Sequence, residues 1–253
     1  MPMKYLCRKL FIATAIAASL LATNAHASIV IAGTRVIFPA NEREVTIKLT
    51  NDGQTPALVQ TWIDKGDANT SPEKIDVPFT VTPSMFRLDP GNGQTLRLIY
   101  TKEPLAQDKE TMFWLNVLEV PPKAENGEDA GRLQLAFRTR IKVFFRPQSL
   151  PGKADEAPMQ TKWQVVRDGK GYALKATNPT PYFVNLGIVT LRTGGKELDA
   201  GAGYVKPGES TLFPVQGLTA AAEPGAEVGY TSINDWGGGI KGTQPVSSGK
   251  GAP

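Results

Sequence analysis

Chemistry in this 253-residue chain has to come from carboxylates and cations, because its single cysteine and single histidine, Cys7 and His26, both fall inside an N-terminal export signal. Lys4, Arg8 and Lys9 precede an apolar run from Leu10 to Ala22, and Ala25-His26-Ala27 follows as a small-residue cleavage pattern. Residues 1–27 therefore read as a secretory signal, and a mature chain starting at Ser28 holds neither residue type. Thiol nucleophiles, disulfides, imidazole-based triads and Cys/His metal sites are excluded. No acidic run has the spacing of a calcium loop, and no pair of acids is singled out for hydrolysis. The expectation is a non-enzymatic protein without a cofactor. Removing the signal takes away three cations and no acids, so the net charge falls from +4 to +1 and nucleic-acid binding loses its compositional support. The apolar run is too short to span a bilayer comfortably, no later segment reaches that length, and Cys7 precedes the run, where a lipid-modified cysteine could not sit. An exported chain without stable membrane insertion is expected.

The remaining chemistry is concentrated in Leu133 to Pro147. Taken alternately, Leu133, Leu135, Phe137, Thr139, Ile141, Val143 and Phe145 share one face, and Gln134, Ala136, Arg138, Arg140, Lys142, Phe144 and Arg146 share the other. One face is apolar and the other mostly cationic. At about 3.3 Å per residue such a strand reaches roughly 40 Å, well beyond the usual strand length. Either it is a long core strand with a solvated basic face, or part of it serves something outside the fold.

The elements around it are all strands. Short alternating runs are separated by Gly, Pro, Asn and Asp, with no sustained period of 3.6 residues. Ile29 to Phe38 reads as a first strand. Glu44 to Thr50, Ala57 to Asp64, Phe79 to Thr82, Gln94 to Thr101 and Phe113 to Val120 follow, the last stopped by Pro121-Pro122. The spacing predicts an immunoglobulin-like sandwich without its disulfide over residues 28–147. Residues 148–157 read as a linker, and a second, Gly-rich set of strands occupies 158–243. From Gly237 the sequence is mostly Gly, Ser, Lys and Pro, and residues 244–253 are expected to be a disordered tail.

Four stretches carry a resemblance. They are Phe113-Trp114-Leu115-Asn116-Val117 running to Pro121-Pro122; Arg140-Ile141-Lys142-Val143-Phe144-Phe145-Arg146-Pro147; Asn178-Pro179-Thr180-Pro181-Tyr182-Phe183; and Ile233-Asn234-Asp235-Trp236-Gly237-Gly238. In this order and spacing the chain resembles the periplasmic pilus chaperones of the chaperone–usher family, and the short loop 123–132 resembles its short-loop branch. The resemblance implies two immunoglobulin-like β-sandwich domains at an angle, with an interdomain cleft where a pilus (fimbrial) subunit docks before delivery to an outer-membrane usher. It implies a donor segment at Leu133, Leu135 and Phe137 that completes the sandwich of the bound pilus protein by strand addition, the mode for which pilus chaperones are a standing example. It also implies that Arg35 and Lys142 bind the C-terminal carboxylate of that pilus protein, and that Glu110, Arg146 and Asp235 form an interdomain charge cluster. An exposed apolar strand invites edge pairing, so the free protein is expected to shield it by self-association or by disorder around Lys123 to Arg132. The rival reading is a secreted structural or adhesin-type fimbrial protein. That protein would carry an N-terminal donor extension and usually a disulfide, and the sequence has neither.

Overall fold

The computed structural model describes residues 28–122, 135–169 and 171–247; residues 1–27, expected as an export signal, the loop 123–132 and Leu133 lie outside them. The described chain is all-β and forms two sandwiches. The first is built from β1 (Ile29–Ile31), β2 (Arg35–Pro39), β3 (Glu44–Asn51), β4 (Ala57–Asp64), β5 (Phe79–Thr82), β6 (Met85–Leu88), β7 (Gly93–Tyr100), β8 (Thr111–Val120) and β9 (Phe137–Arg146). One sheet has the order β1-β3-β7-β5 and the other β2-β9-β8-β4-β6. Period two does the sorting: on β7, Leu96 and Leu98 are buried between exposed Thr95 and Arg97. The facing layers meet in an aromatic cluster, with Phe79 4.9 Å from Phe113 and 5.2 Å from Phe38, and Phe145 5.0 Å from Tyr100, ring centroid to ring centroid.

Two expectations change here. The single strand expected over Ile29 to Phe38 is two strands in different sheets: β1 pairs antiparallel with β3, and β2 pairs parallel with β9. The break falls at Gly33, whose φ of +115° is open to glycine and unfavourable for residues with a Cβ. The long strand is shorter than its pattern. Its ladder with β8 ends at the pair Glu119–Phe137, so Leu135 and Ala136 lie beyond it. The residues of β8 that would continue the ladder run into Pro121 and Pro122, which have no N–H to donate.

The second sandwich contains β10 (Lys162–Asp168), β11 (Gly171–Thr177), β12 (Val184–Thr193), β13 (Lys196–Asp199), β14 (Gly203–Val205), β15 (Ser210–Pro214), β16 (Glu227–Ile233) and β17 (Gly239–Pro245). Its sheets are β10-β11-β15 and β13-β12-β16-β17, with β14 also on β12. Within the stretch expected as a linker, Leu150 and Ala157 are buried in this second core. The tail expected to be disordered from residue 244 is held as far as Ser247. Strand β17 covers the outer edge of β16 up to Pro245, and Ser247 donates its backbone N–H to the Trp163 carbonyl at 2.9 Å. Gly and Ser content misleads because pairing needs only an extended backbone against an open edge.

Candidate functional site

Strand β9 has two unlike edges. Along one it pairs with β8 from Phe137 to Phe145. Along the other, β2 covers only Lys142 to Arg146, because β2 starts at Arg35 just after the Gly33 break. No strand among the described residues covers the edge from Phe137 to Ile141. Beside it, Phe137 is 57% and Leu135 51% exposed. These two members of the expected donor segment are apolar, solvent-facing and next to unpaired backbone. Leu133 lies outside the described residues.

Arg35 and Lys142 are register partners where β2 begins, so the two cations stand side by side at the end of the open edge. Neither is a freely solvated surface charge. Arg35 donates from Nη1 to the Ile233 carbonyl at 3.1 Å, and its buried Nε has no hydrogen-bond partner among the described residues. Burial pulls its pKa down, opposed by the charge of Asp235. Lys142 donates from Nζ to Asn185 Oδ1 at 2.7 Å, and Nζ stands 4.4 Å from the Tyr204 ring centroid. Burial first and the positive charge of Arg35 second lower the Lys142 amine to about 8. Like charges held together in a partly dry site leave a standing demand for an anion. A pocket of about 370 Å³, lined among others by Trp114, Phe183, Tyr204 and Lys206, opens between the sandwiches nearby.

Glu110, Arg146 and Asp235 are brought together. Arg146 donates from Nε to Glu110 Oε1 at 2.6 Å and, through both terminal nitrogens, to Asp235 at 2.6 and 2.8 Å. The free oxygen of Glu110 accepts the Phe183 N–H at 2.7 Å. One guanidinium thus ties β9, the residue before β8 and the loop after β16, bridging the two sandwiches. Burial pushes the Glu110 carboxyl up despite Arg146; burial also pulls on Arg146, but hydrogen bonding to Asp235 and the two carboxylate charges outweigh it and hold that group raised. The turn that offers Phe183 is shaped by Asn178, fully buried, whose Nδ2 donates to the Tyr182 carbonyl at 2.7 Å while its Oδ1 accepts from Thr180.

Sequence reasoning missed two features. Phe144, expected on the cationic face, is 2% exposed because that face meets the second sandwich, its ring 5.5 Å from Phe183. Farther along, Asp64 and Asn116 are buried under Arg138 and Arg140. The signal was present in the matching Trp62-Ile63-Asp64 and Trp114-Leu115-Asn116, which put a Trp and a short polar residue on one face of adjacent strands.

Known proteins match nearly the whole described chain. Residues 28–151 match the family model described as the N-terminal domain of PapD, a pili and flagellar-assembly chaperone, and residues 156–244 match the C-terminal domain of the pili assembly chaperone PapD. The probable fimbrial chaperone YadV of Escherichia coli K12 is 45% identical over 219 residues, 85% of this chain and 89% of that relative. The chaperone protein FimB/FhaD of Bordetella pertussis is 42% identical over 222 residues, 86% of this chain and 88% of its own length. Among solved structures, the YadV chaperone superposes with a TM-score of 0.75 at 42% identity, covering 87% of this chain and all of that one. A chain of the Salmonella enterica complex of SafA pilin with the SafB chaperone gives a TM-score of 0.70 at 27% identity, covering 88% of this chain and 99% of that one. With both domain models matched in order and relatives this similar over most of their length, the chain belongs to the PapD-like family of pilus assembly chaperones.

Proposed function

We propose that this protein is a periplasmic chaperone, exported through residues 1–27, that binds pilus subunits, caps them by donating the segment around Leu133, Leu135 and Phe137, and passes them to an outer-membrane usher. It is read as acting by binding alone, without catalysis. The observation that carries the reading is the open edge of β9 ending at Arg35 and Lys142. An extended segment laid against Phe137 to Ile141 and parallel to β9 runs head to tail with β2, so its C-terminus arrives at the two cations. An antiparallel segment would bring its N-terminal ammonium there, against like charge. The cation pair therefore selects both polarity and stopping point. Phe137 and Leu135 would fill a partner's groove, at about 1.5–3 kcal/mol for each side chain fully buried. Glu110, Arg146 and Asp235 are read as fixing the angle between the domains, which sets where Lys142 meets Asn185.

The test is a double-mutant cycle on the carboxylate. A peptide carrying the C-terminal sequence of a pilus protein should bind Lys142→Ala about tenfold to a thousandfold more weakly than wild type, since truncating one side of a buried charged contact costs about 2–5 kcal/mol. Amidating the peptide should weaken wild-type binding similarly, and the two changes together should cost much less than their sum. Full additivity would remove Lys142 from the carboxylate site. Purification from the periplasm, followed by identification of bound partners, tests the pilus-protein and usher assignments directly.

A further inference from the structure

The network around Asp64 is used neither by the cation pair nor by the interdomain cluster. Its geometry is nevertheless specific. Asp64 is 1% exposed, and both its oxygens are committed. Oδ1 accepts from Gly66 N at 2.6 Å and Arg140 Nη2 at 2.7 Å. Oδ2 accepts from Asn116 Nδ2 at 2.8 Å, Arg140 Nη2 at 2.9 Å and, more weakly, Arg138 Nη2 at 3.5 Å. Asn116, also fully buried, accepts on its Oδ1 from Arg138 and Arg140 at 2.7 to 3.0 Å. Each guanidinium lies against an indole, Arg138 at 4.7 Å from Trp62 and Arg140 at 4.8 Å from Trp114. One buried carboxylate thus links β4, β8 and β9 across three adjacent strands.

We propose that Asp64 is a positioning residue that, through Arg138 and Arg140, holds the open half of β9 extended and in register before a partner strand arrives. The inference rests on the reading that this half receives a segment of a pilus protein, and it adds how the free protein keeps that edge ready. From Lys142 to Phe145 β9 is paired on both edges; from Phe137 to Ile141 it is paired, among the described residues, on one. A strand end paired on one side is weakly registered where its apolar face is exposed, as at Phe137 and Thr139, and a one-residue slip exchanges its faces. The clamp acts only at positions 138 and 140. Because side chains alternate, this leaves Phe137, Thr139 and Ile141 on the opposite face, and it uses none of the edge hydrogen bonds that an added strand needs. Charge is required as well as shape. Two partly exposed guanidiniums facing a neutral amide in place of the buried carboxylate lose their charge-assisted bonds.

The experiment uses the full mature chain as wild type, Asp64→Asn and Arg138→Ala, followed by hydrogen exchange in the free state. It adds titration with a synthetic peptide of alternating Val and Thr ending in a free carboxylate. Asp64→Asn is expected to speed exchange at Phe137 to Ile141 by on the order of tenfold to a hundredfold, leave Val143 to Arg146 unchanged, and weaken the peptide by about tenfold. Arg138→Ala, at the more exposed rim of the network, should reproduce the localised exchange effect at about fivefold and decides the matter if Asp64→Asn does not fold. Equal acceleration of both halves, or unchanged exchange at Phe137 to Ile141 in Arg138→Ala, overturns the inference by making Asp64 an ordinary structural residue. Failure of the peptide to add protection at Phe137 to Ile141 in wild type overturns the strand-addition reading instead, while the free-state exchange still decides the role of Asp64.

Discussion

The two halves of β9 share a backbone and a sequence rhythm but solve opposite problems. From Lys142 to Phe145 the strand is paired on both edges, and its apolar residues Val143 and Phe145 are at most 1% exposed. From Phe137 to Ile141 it is paired, among the described residues, on one edge, its first apolar residue is exposed, and a polar network lies on its other face. A single strand can therefore be core at one end and exposed at the other. What decides between them is the point at which a neighbouring strand begins.

The sharpest way to break this comparison is in the covered half. Phe145→Ala removes a ring packed against Phe38, Phe79 and Tyr100 and should cost about 3–5 kcal/mol, read as a lower urea midpoint with unchanged m-value. A loss below about 1 kcal/mol would mean that the covered half is not core in the sense argued here.

At the boundary between the halves, pH should separate binding from stability. With the Lys142 amine at about 8, affinity for a carboxylate-terminated peptide should be flat below that pH. It should then fall as pH rises, by up to about tenfold per unit toward the ordinary lysine range, because the complex must take up a proton. Stability moves the other way. The folded pKa lies below the unfolded value, so the unfolded chain holds more protons between about 8 and 10.5, and the Lys142 contribution to stability rises with pH in that window. Isothermal titration at several buffer pH values, alongside urea melts, checks both signs. Affinity and stability falling together would place the titration elsewhere.

The smallest stability effect belongs to the open half. Leu135→Glu should change stability by less than about 0.5 kcal/mol, because the side chain is half exposed and outside the ladder, yet it should abolish recovery of pilus proteins. If the variant unfolds, the segment is core and the division of β9 is misplaced.

Alternation in the sequence was enough to assign the two faces of β9 and the all-β class, because period two is a local property. It could not say what lies over each face. Phe144 looks misplaced among cations until Phe183 arrives from a turn 39 positions later in the chain. Arg35, Lys142, Glu110, Arg146 and Asp235 were picked out by resemblance to a family and not by pattern, since a lone charge on a strand has no signature of its own. The Asp64 network escaped because its members come from three strands and only pairing register aligns them. The first strand was read as unbroken because Ala32-Gly33-Thr34 interrupts its apolar pattern for too few residues to mark a change of sheet.

That interruption has a consequence for measurement. Because Gly33 ends one strand and lets the next start only at Arg35, β2 acts as an end-stop for any segment sliding along β9. On the proposed anchoring, a guest is gauged from its last residue backward, like a rod pushed against a wall. One residue added to the guest's C-terminus would turn every side chain to the wrong face, whereas two would restore the faces but shift each side chain by one pocket, roughly 7 Å. Length at the guest's end, as much as composition, would then decide which chains this protein accepts.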